Sequence, residues 1–329
     1  MSVKIPKTKQ AQLEFLISCA VQAPSSHNTQ PWQFSLTDNV VAVYADMTRR
    51  LKIGDPMDRE LYVSIGASIQ NILIGADALG MDASCTLFPK NRVKPDLVAE
   101  ITLNFPTKKR AVKNDLVDAI WNRRTNRSPY LPHKKIPATL QKSLVGMSED
   151  YGLKLTLVND HQQISHLGSL VETGMLKFLK KDSFRQELST WIRHDWSKKG
   201  DGLPGYSLGM AGIISIMAPI FIRSASKIHE VAASENTVVK SSPSIGIITI
   251  PRDNKSAWVK TGMLFESMAL KLHNLGVATA ILTAAVESKP ERLQLKKIVK
   301  GEPGLFFRLG YPTEAGIRVP RRDASHVTR

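Results

Sequence analysis

Two stretches of this 329-residue sequence are dense in groups that could do chemistry. The first is "APSSHNTQPWQF" (residues 23–34). Ser25, Ser26, Asn28 and Gln30 offer hydrogen-bond donors and acceptors, Pro24 and Pro31 each fix a φ angle, and Trp32 and Phe34 can anchor the end in a core. That is the design of a rigid polar loop. The second is "NRRTNR" (residues 122–127), where Arg123, Arg124 and Arg127 stand with Thr125 and Asn126 after the amphipathic stretch "DLVDAIW". Such a cluster holds a phosphate through charge-assisted, bidentate hydrogen bonds, or it is a solvated basic helix end. Arg321 and Arg322 in "VPRRD" carry the same two readings.

Other groupings carry less chemistry. Ser26 and His27 are adjacent on one loop, so their side chains seldom face each other, and no acidic orienter is identifiable. His161, His166, His194 and Asp195 lack tight ligand spacing and are expected in solvated or capping roles, so no metal site is read. Trp191, Trp196 and Trp258 are expected as packing residues. Cys19 and Cys85 form neither a disulfide framework nor a zinc pattern, which fits a reducing cytoplasm.

The elements that must position these groups repeat. "VSIGASIQNILIGADALGMDAS" from Val63 and "VKTGMLFESMALKLHNLGVATA" from Val259 align without gaps at an offset of 196 residues. Val63 meets Val259, Gly66 meets Gly262, and both predicted helices stop at a glycine, Gly80 or Gly276. Each is followed by an extended stretch closed by aromatic-Pro, "EITLNFP" or "LFFRLGYP". Strand-like "FSLTDNVVAVYAD" precedes the first helix, and "LKLTLVND" with "SIGIITI" precedes the second. The pattern predicts an α+β protein of two sheet-and-helix halves, joined near residues 108–113. The polar loop occurs only in the first half, and the arginine segments only in the second.

Hydrophobic residues at 42% fill a sizeable core, and 45 Lys and Arg against 29 Asp and Glu give a net charge of +16. That balance favours anionic partners. The basic residues are scattered with little aromatic interleaving, which argues against nucleic-acid binding as the main role. No secretory signal is read at the start. The apolar run "AGIISIMAPIFI" (residues 211–222) is too short to span a bilayer and contains Pro219, so no stable membrane insertion is expected. A mobile cover, an interfacial patch and a buried helix all remain open for it.

Together "APSSHNTQPWQF", "WNRRTNRSPY", the helix end "NLGVATA" and the closing "GEPGLFFRLGYP…VPRRD" resemble the nitroreductase superfamily of flavin enzymes. The order of the pieces is similar to its Acg-like branch, in which two nitroreductase halves are fused in one chain. The resemblance covers nearly the whole length and is weakest over residues 159–240. It implies a nitroreductase-like α+β fold built as an internal pseudo-dimer, with halves at 1–110 and 111–329 and a candidate lid at 197–235. It further implies FMN between the halves, NADPH or NADH as reductant, and a small-molecule electron acceptor such as a nitroaromatic or quinone. Arg123, Arg124 and Arg127, with Arg321 or Arg322, would hold the phosphate, and Pro24, Ser25, Ser26, Asn28 and Gln30 would line the flavin. No catalytic side chain is implied, because the flavin carries the chemistry. The alternative is a flavin-binding or flavin-sequestering protein without turnover, its lid hinged on Gly200, Gly202 and Gly205.

Overall fold

The computed structural model describes residues 6–90, 94–105 and 115–329. Helix α1 (Lys9–Ala20) starts on Thr8, whose side chain accepts from the Ala11 amide, and leads through the polar loop into β1 (Trp32–Thr37). A two-residue turn, with Asp38 at positive φ, returns the chain as β2 (Val40–Ala45). Helix α2 (Arg59–Ala78), β3 (Asp82–Leu87) and β4 (Leu97–Asn104) complete the unit, an antiparallel sheet of order β1-β2-β4-β3.

The second unit opens with α3 (Asp115–Asn122), α4 (Ala138–Asp150) and β5 (Lys154–Val158). Next come α5 (His161–Leu179), α6 (Asp182–Thr190), β6 (Ile192–Arg193), β7 (Leu203–Pro204), α7 (Ile214–Arg223) and α8 (Ile228–Lys240). Strand β8 (Ser244–Ile250), α9 (Lys255–Asn274), β9 (Ala278–Ile281), α10 (Ala284–Glu287), α11 (Lys289–Val299) and β10 (Glu302–Gly310) close the fold. Its sheet, β5-β8-β10-β9, repeats the order of the first. Helices α2 and α9 are each 20 residues long, and Gly80 and Gly276 both end their helices at φ 72°. The expected seam at 108–113 and the 110/111 division fall outside the described residues.

An insertion distinguishes the two units. Where the first joins β1 to β2 by a tight turn, the second places α5 to α8 between β5 and β8. Strand β8 is buried at all seven positions and its counterpart β2 at five of six, while the edge strand β3 alternates between exposed and half-buried. Helices α5, α8 and α11 cover the outer face of the second sheet around Ile245, Ile247 and Phe306. A strand covered on both faces reads as a continuous apolar run.

The main core lies between the inner faces of both sheets and is threaded by α2 and α9. These helices cross on glycine. A methyl placed on Gly66 would collide with the Val259 carbonyl, and one on Gly262 with the Val63 carbonyl. The two collisions are images of each other under the 196-residue offset, so the crossing lies on an approximate two-fold axis. Gly146 in α4 is different, since nothing lies within 4 Å of an added methyl. Alanine in a helix gains about 0.5–1 kcal/mol over glycine, whereas forcing extra volume into a packed core costs about 1–3 kcal/mol or more. Gly146→Ala is therefore expected to raise the thermal midpoint, and Gly66→Ala and Gly262→Ala each to lower it, in melts followed by circular dichroism.

Candidate functional site

The polar loop is stiff for local reasons. Its 3-10 turn, Ser26–Asn28, follows the extended Ser25, whose Oγ accepts from the Gln30 amide at 2.9 Å. His27, Asn28 and Gln30 hold φ of 48°, 54° and 51°. Three non-glycine residues with positive φ in so short a span mark a backbone that its surroundings over-determine. Trp32 is fully buried and anchors the loop in the core.

The opposite wall is the arginine segment after α3, fastened from behind by the second sheet. The Asn126 amide donates to the Thr279 carbonyl at 3.2 Å. Arg308 on β10 donates to the carbonyls of Asn126 and Ser128, both at 2.9 Å, and the Tyr130 hydroxyl donates to Asn126 as well. The backbone of the segment is thereby fixed, leaving Arg123, Arg124 and Arg127 free to line a cavity.

The C-terminal arm joins the walls. It runs from β10 past Arg124, where a methyl on Gly316 would strike the Arg124 Cβ at 2.7 Å. It ends on β1, where the Phe34 amide donates to the Val327 carbonyl and the Arg329 amide to the Phe34 carbonyl, both at 2.7 Å. Midway, Arg321 Nη1 donates to Asn28 Oδ1 at 3.0 Å.

Between the walls lies a polar cavity of about 40 Å³, lined among others by Ser25, Arg123, Arg124, Arg318 and Arg321. That is several times the roughly 10–15 Å³ one water requires. One buried carboxylate, Glu266, stands near these guanidinium groups, 3.4 Å from Arg123 Nε. Burial raises the Glu266 carboxyl against the opposing charge of Arg123. Burial, then the Arg123 charge, pulls Arg321 down to about 9, so it remains cationic at neutral pH. Both Arg321 Nε and Arg123 Nε are buried without a hydrogen-bond partner. Concentrated positive charge with unused donors fits a bound anion such as a phosphate.

Pro24, Ser25, Thr125, Arg127 and Leu203 also line a second cavity of about 470 Å³. This one is mostly apolar, with Val63, Ala67, Phe265, Leu282 and Leu305 among its walls and Ser26 and His27 at its edge. Its volume lies in the range of roughly 300–1,000 Å³ usual for cofactor sites. His27 Nδ1 has no partner, and burial followed by the Arg127 charge pushes the imidazole down to about 4, so it is neutral at pH 7. Glu60, Glu287 and Arg59 also line the cavity. Burial, then the nearby Asp55 and Glu287, raises Glu60 well above the usual carboxylate range. Burial raises Glu287 too, although Arg59 pairs with it at 3.1 Å.

Of the residues expected from sequence, Pro24, Ser25, Asn28, Arg123, Arg124, Arg127 and Arg321 come together at the polar cavity, and Ser26 lines the apolar one. Gln30 and Arg322 line neither. Gln30 is fully buried, donating to the Gly200 carbonyl at 2.7 Å and accepting from the Arg322 amide at 2.8 Å. Arg322 is turned toward Gln30 and His326. Asn28 faces the pocket with its amide already used, donating to Gly202 and Pro320 carbonyls and accepting from Arg321. Sequence reasoning missed Arg318, His27 as a cavity wall, and the Arg59, Glu60 and Glu287 group; Arg318, three residues before Arg321, was the one with a visible signal. His194 and Trp196 are exposed, which departs from the packing expected of Trp196, while Asp195 accepts from the Tyr206 and Gly212 amides.

No family model matches the chain. An uncharacterized protein of Mycobacterium tuberculosis is 24% identical over 324 residues, covering 94% of this chain and 89% of that one. From the same organism, a putative NAD(P)H nitroreductase is 26% identical over 180 residues, 54% of this chain and 49% of its own. A second, named acg, is 33% identical over 117 residues, 35% of this chain and 34% of its own. Among solved structures, the FMN-dependent nitroreductase NfnB of Mycobacterium smegmatis, in complex with NADPH, matches with a TM-score of 0.43 at 11% identity over 65% of this chain and 97% of that one. Over part of its length the chain is thus similar in sequence to curated nitroreductases.

Proposed function

We propose that the chain is an FMN-dependent NAD(P)H oxidoreductase with one flavin site, formed between the polar loop of the first unit and the arginine segments of the second. The observation that carries this reading is the arginine-lined cavity, with its unpartnered Arg321 Nε, opening beside an apolar cavity of about 470 Å³. Arg123, Arg124, Arg321 and Arg318 would hold the phosphate, with Arg127 at the junction of the two cavities. Pro24, Ser25 and Ser26 would border the ring system, and the apolar walls would exclude water from it. When bound, FMN supplies hydride transfer between a reduced nicotinamide and a small acceptor such as a nitroaromatic or quinone. Burial and the neighbouring carboxylates of Asp55 and Glu287 raise the Glu60 carboxyl at the wall of this cavity. The chain acts as an internal pseudo-dimer, and a single copy suffices.

A second reading, flavin retention without turnover, draws support from the inserted segment. Leu203, Leu208, Ile222, Val231 and Glu235 form part of the apolar cavity's wall, as a cover over 197–235 would. The glycines expected to hinge it are tightly packed instead. Methyls on Gly200, Gly202 and Gly205 would strike Arg321, Trp191 and Met210 carbonyls. Asp201, between the first two, pairs with Arg49 and Arg193. The cover is thus clamped at its start, and any opening has to occur further along.

Titration with FMN is expected to give at most one flavin per chain; two equivalent flavins would refute the single-site assignment. Arg124 Nη1 is engaged by the Trp121 and Arg123 carbonyls, and the rest of its guanidinium is available to an anion. Arg124→Ala should weaken FMN binding by about 1.5–3 kcal/mol, roughly tenfold to more than a hundredfold. Unchanged affinity would remove Arg124 from the site. The FMN-supplemented protein should oxidise NADPH or NADH with a nitroaromatic or quinone faster than free FMN does, and no excess over free FMN would favour retention without turnover. Asp201→Asn, which loosens the clamp, should raise acceptor reduction if the segment covers the site; equal rates with an intact fold would show that it does not.

A further inference from the structure

Helix α7 buries its small side chains and exposes its large ones. Ser215 and Ala218 are fully buried, whereas Ile213 at its N-terminal edge is 78% exposed and Ile214, Ile216, Ile220 and Phe221 are each more than half exposed. With Met217, 43% exposed, these residues recur at helical spacing and form one continuous apolar stripe facing outward. Isolated exposed apolar residues are ordinary, but a contiguous stripe of this size marks a surface that meets an apolar partner.

The surroundings of the stripe identify the partner. Asp195 accepts from the Gly212 amide at 2.7 Å, and its own amide donates to Ser215 Oγ at 3.0 Å, so residues 194–199 lie against the start of α7. They bring Trp196, 60% exposed, with the exposed Lys198 and Lys199. Exposed Arg223 ends the helix, its Nε donating to Ser189 Oγ at 2.9 Å, and exposed Lys227 follows it, 3.7 Å from the exposed carboxylate of Glu230. Between Trp196 and His229 the only carboxylate is Asp201, which is paired with Arg49 and Arg193. An apolar stripe rimmed by cations, with an indole at its edge, suits the headgroup boundary of an anionic bilayer. A second copy of the chain is a poorer fit, since docking two such faces would press the same lysines and arginines together on molecules that each carry +16.

We propose that α7 and the Trp196 segment dock the protein on the surface of anionic membranes, with the stripe from Ile213 to Phe221 seated among the outer acyl carbons. This is peripheral attachment. Among the described residues no helix is long and apolar enough to cross a membrane. The proposal is independent of flavin binding, so it stands or falls separately from the proposed activity.

Flotation of the full chain with vesicles is the test, comparing pure phosphatidylcholine with vesicles containing about one-third phosphatidylglycerol. The chain should float with the anionic vesicles, and salt at about 0.5 M should weaken the association. The Trp196 emission should shift to the blue on binding. I216E/F221E, altering two exposed side chains, should keep its circular dichroism and bind the anionic vesicles at least about tenfold less tightly. I216L/F221W, which keeps the apolar character, should bind like the parent. Three results would each overturn the proposal: equal flotation with both vesicle types, undiminished binding by folded I216E/F221E, or self-association of the free chain that I216E/F221E abolishes.

Discussion

The close approach of α2 and α9 is the constraint on which the rest of the molecule depends. Two buried helices can bring their backbones together only where neither carries a β-carbon, and Gly66 and Gly262 supply that condition at equivalent positions. The crossing fixes the distance between the two sheets and the offset of one unit from the other. Everything that spans the units inherits its geometry from that contact, including the cavity between Val63 and Ala67 of α2 and Phe265 of α9.

Electrostatics at the site works against stability. Arg123 is 5% exposed and shares Glu266 with its neighbours, while burial and nearby like charges lower both Arg124 and Arg321. Concentrating guanidinium groups with one buried carboxylate costs free energy that an anion would return. The loop has the same character, since it holds three residues at positive φ, of which Asn28 and Gln30 are tied by hydrogen bonds to the inserted segment and Asn28 also to the C-terminal arm. Strain and unpaired charge are concentrated together, at the junction of the units.

Much of this was legible in the sequence because it rests on periodicity and on backbone requirements. The ungapped offset located both central helices and their glycine ends, and the equal lengths of α2 and α9 follow from it. The arginine segment and the polar loop were visible as concentrations of one kind of group. Their division of labour was not, since Gln30 and Asn28 differ in role only through what lies opposite them: Gly200 and the Arg322 amide for one, Gly202, Pro320 and Arg321 for the other. These partners are 170 to 293 residues away. Glu60 and Glu287 were hidden for the same reason, each unremarkable until folding places them by one cavity. The run at 211–222 kept three readings because composition specifies a helix without stating which side faces inward; the buried Ser215 and Ala218 settle that.

The glycine crossing also bears on how such a chain can change over time. In an assembly of two identical subunits, every substitution near the axis is made twice, and its cost is doubled at once. Here the matching positions are separate codons. Residue 66 can be altered while residue 262 is kept, and the wall bearing the polar loop can drift without dragging the arginine wall along. The polar loop stands in one unit and the arginine segment in the other, an asymmetry that such freedom permits. The approximate two-fold survives where backbones touch and has lapsed where ligands would.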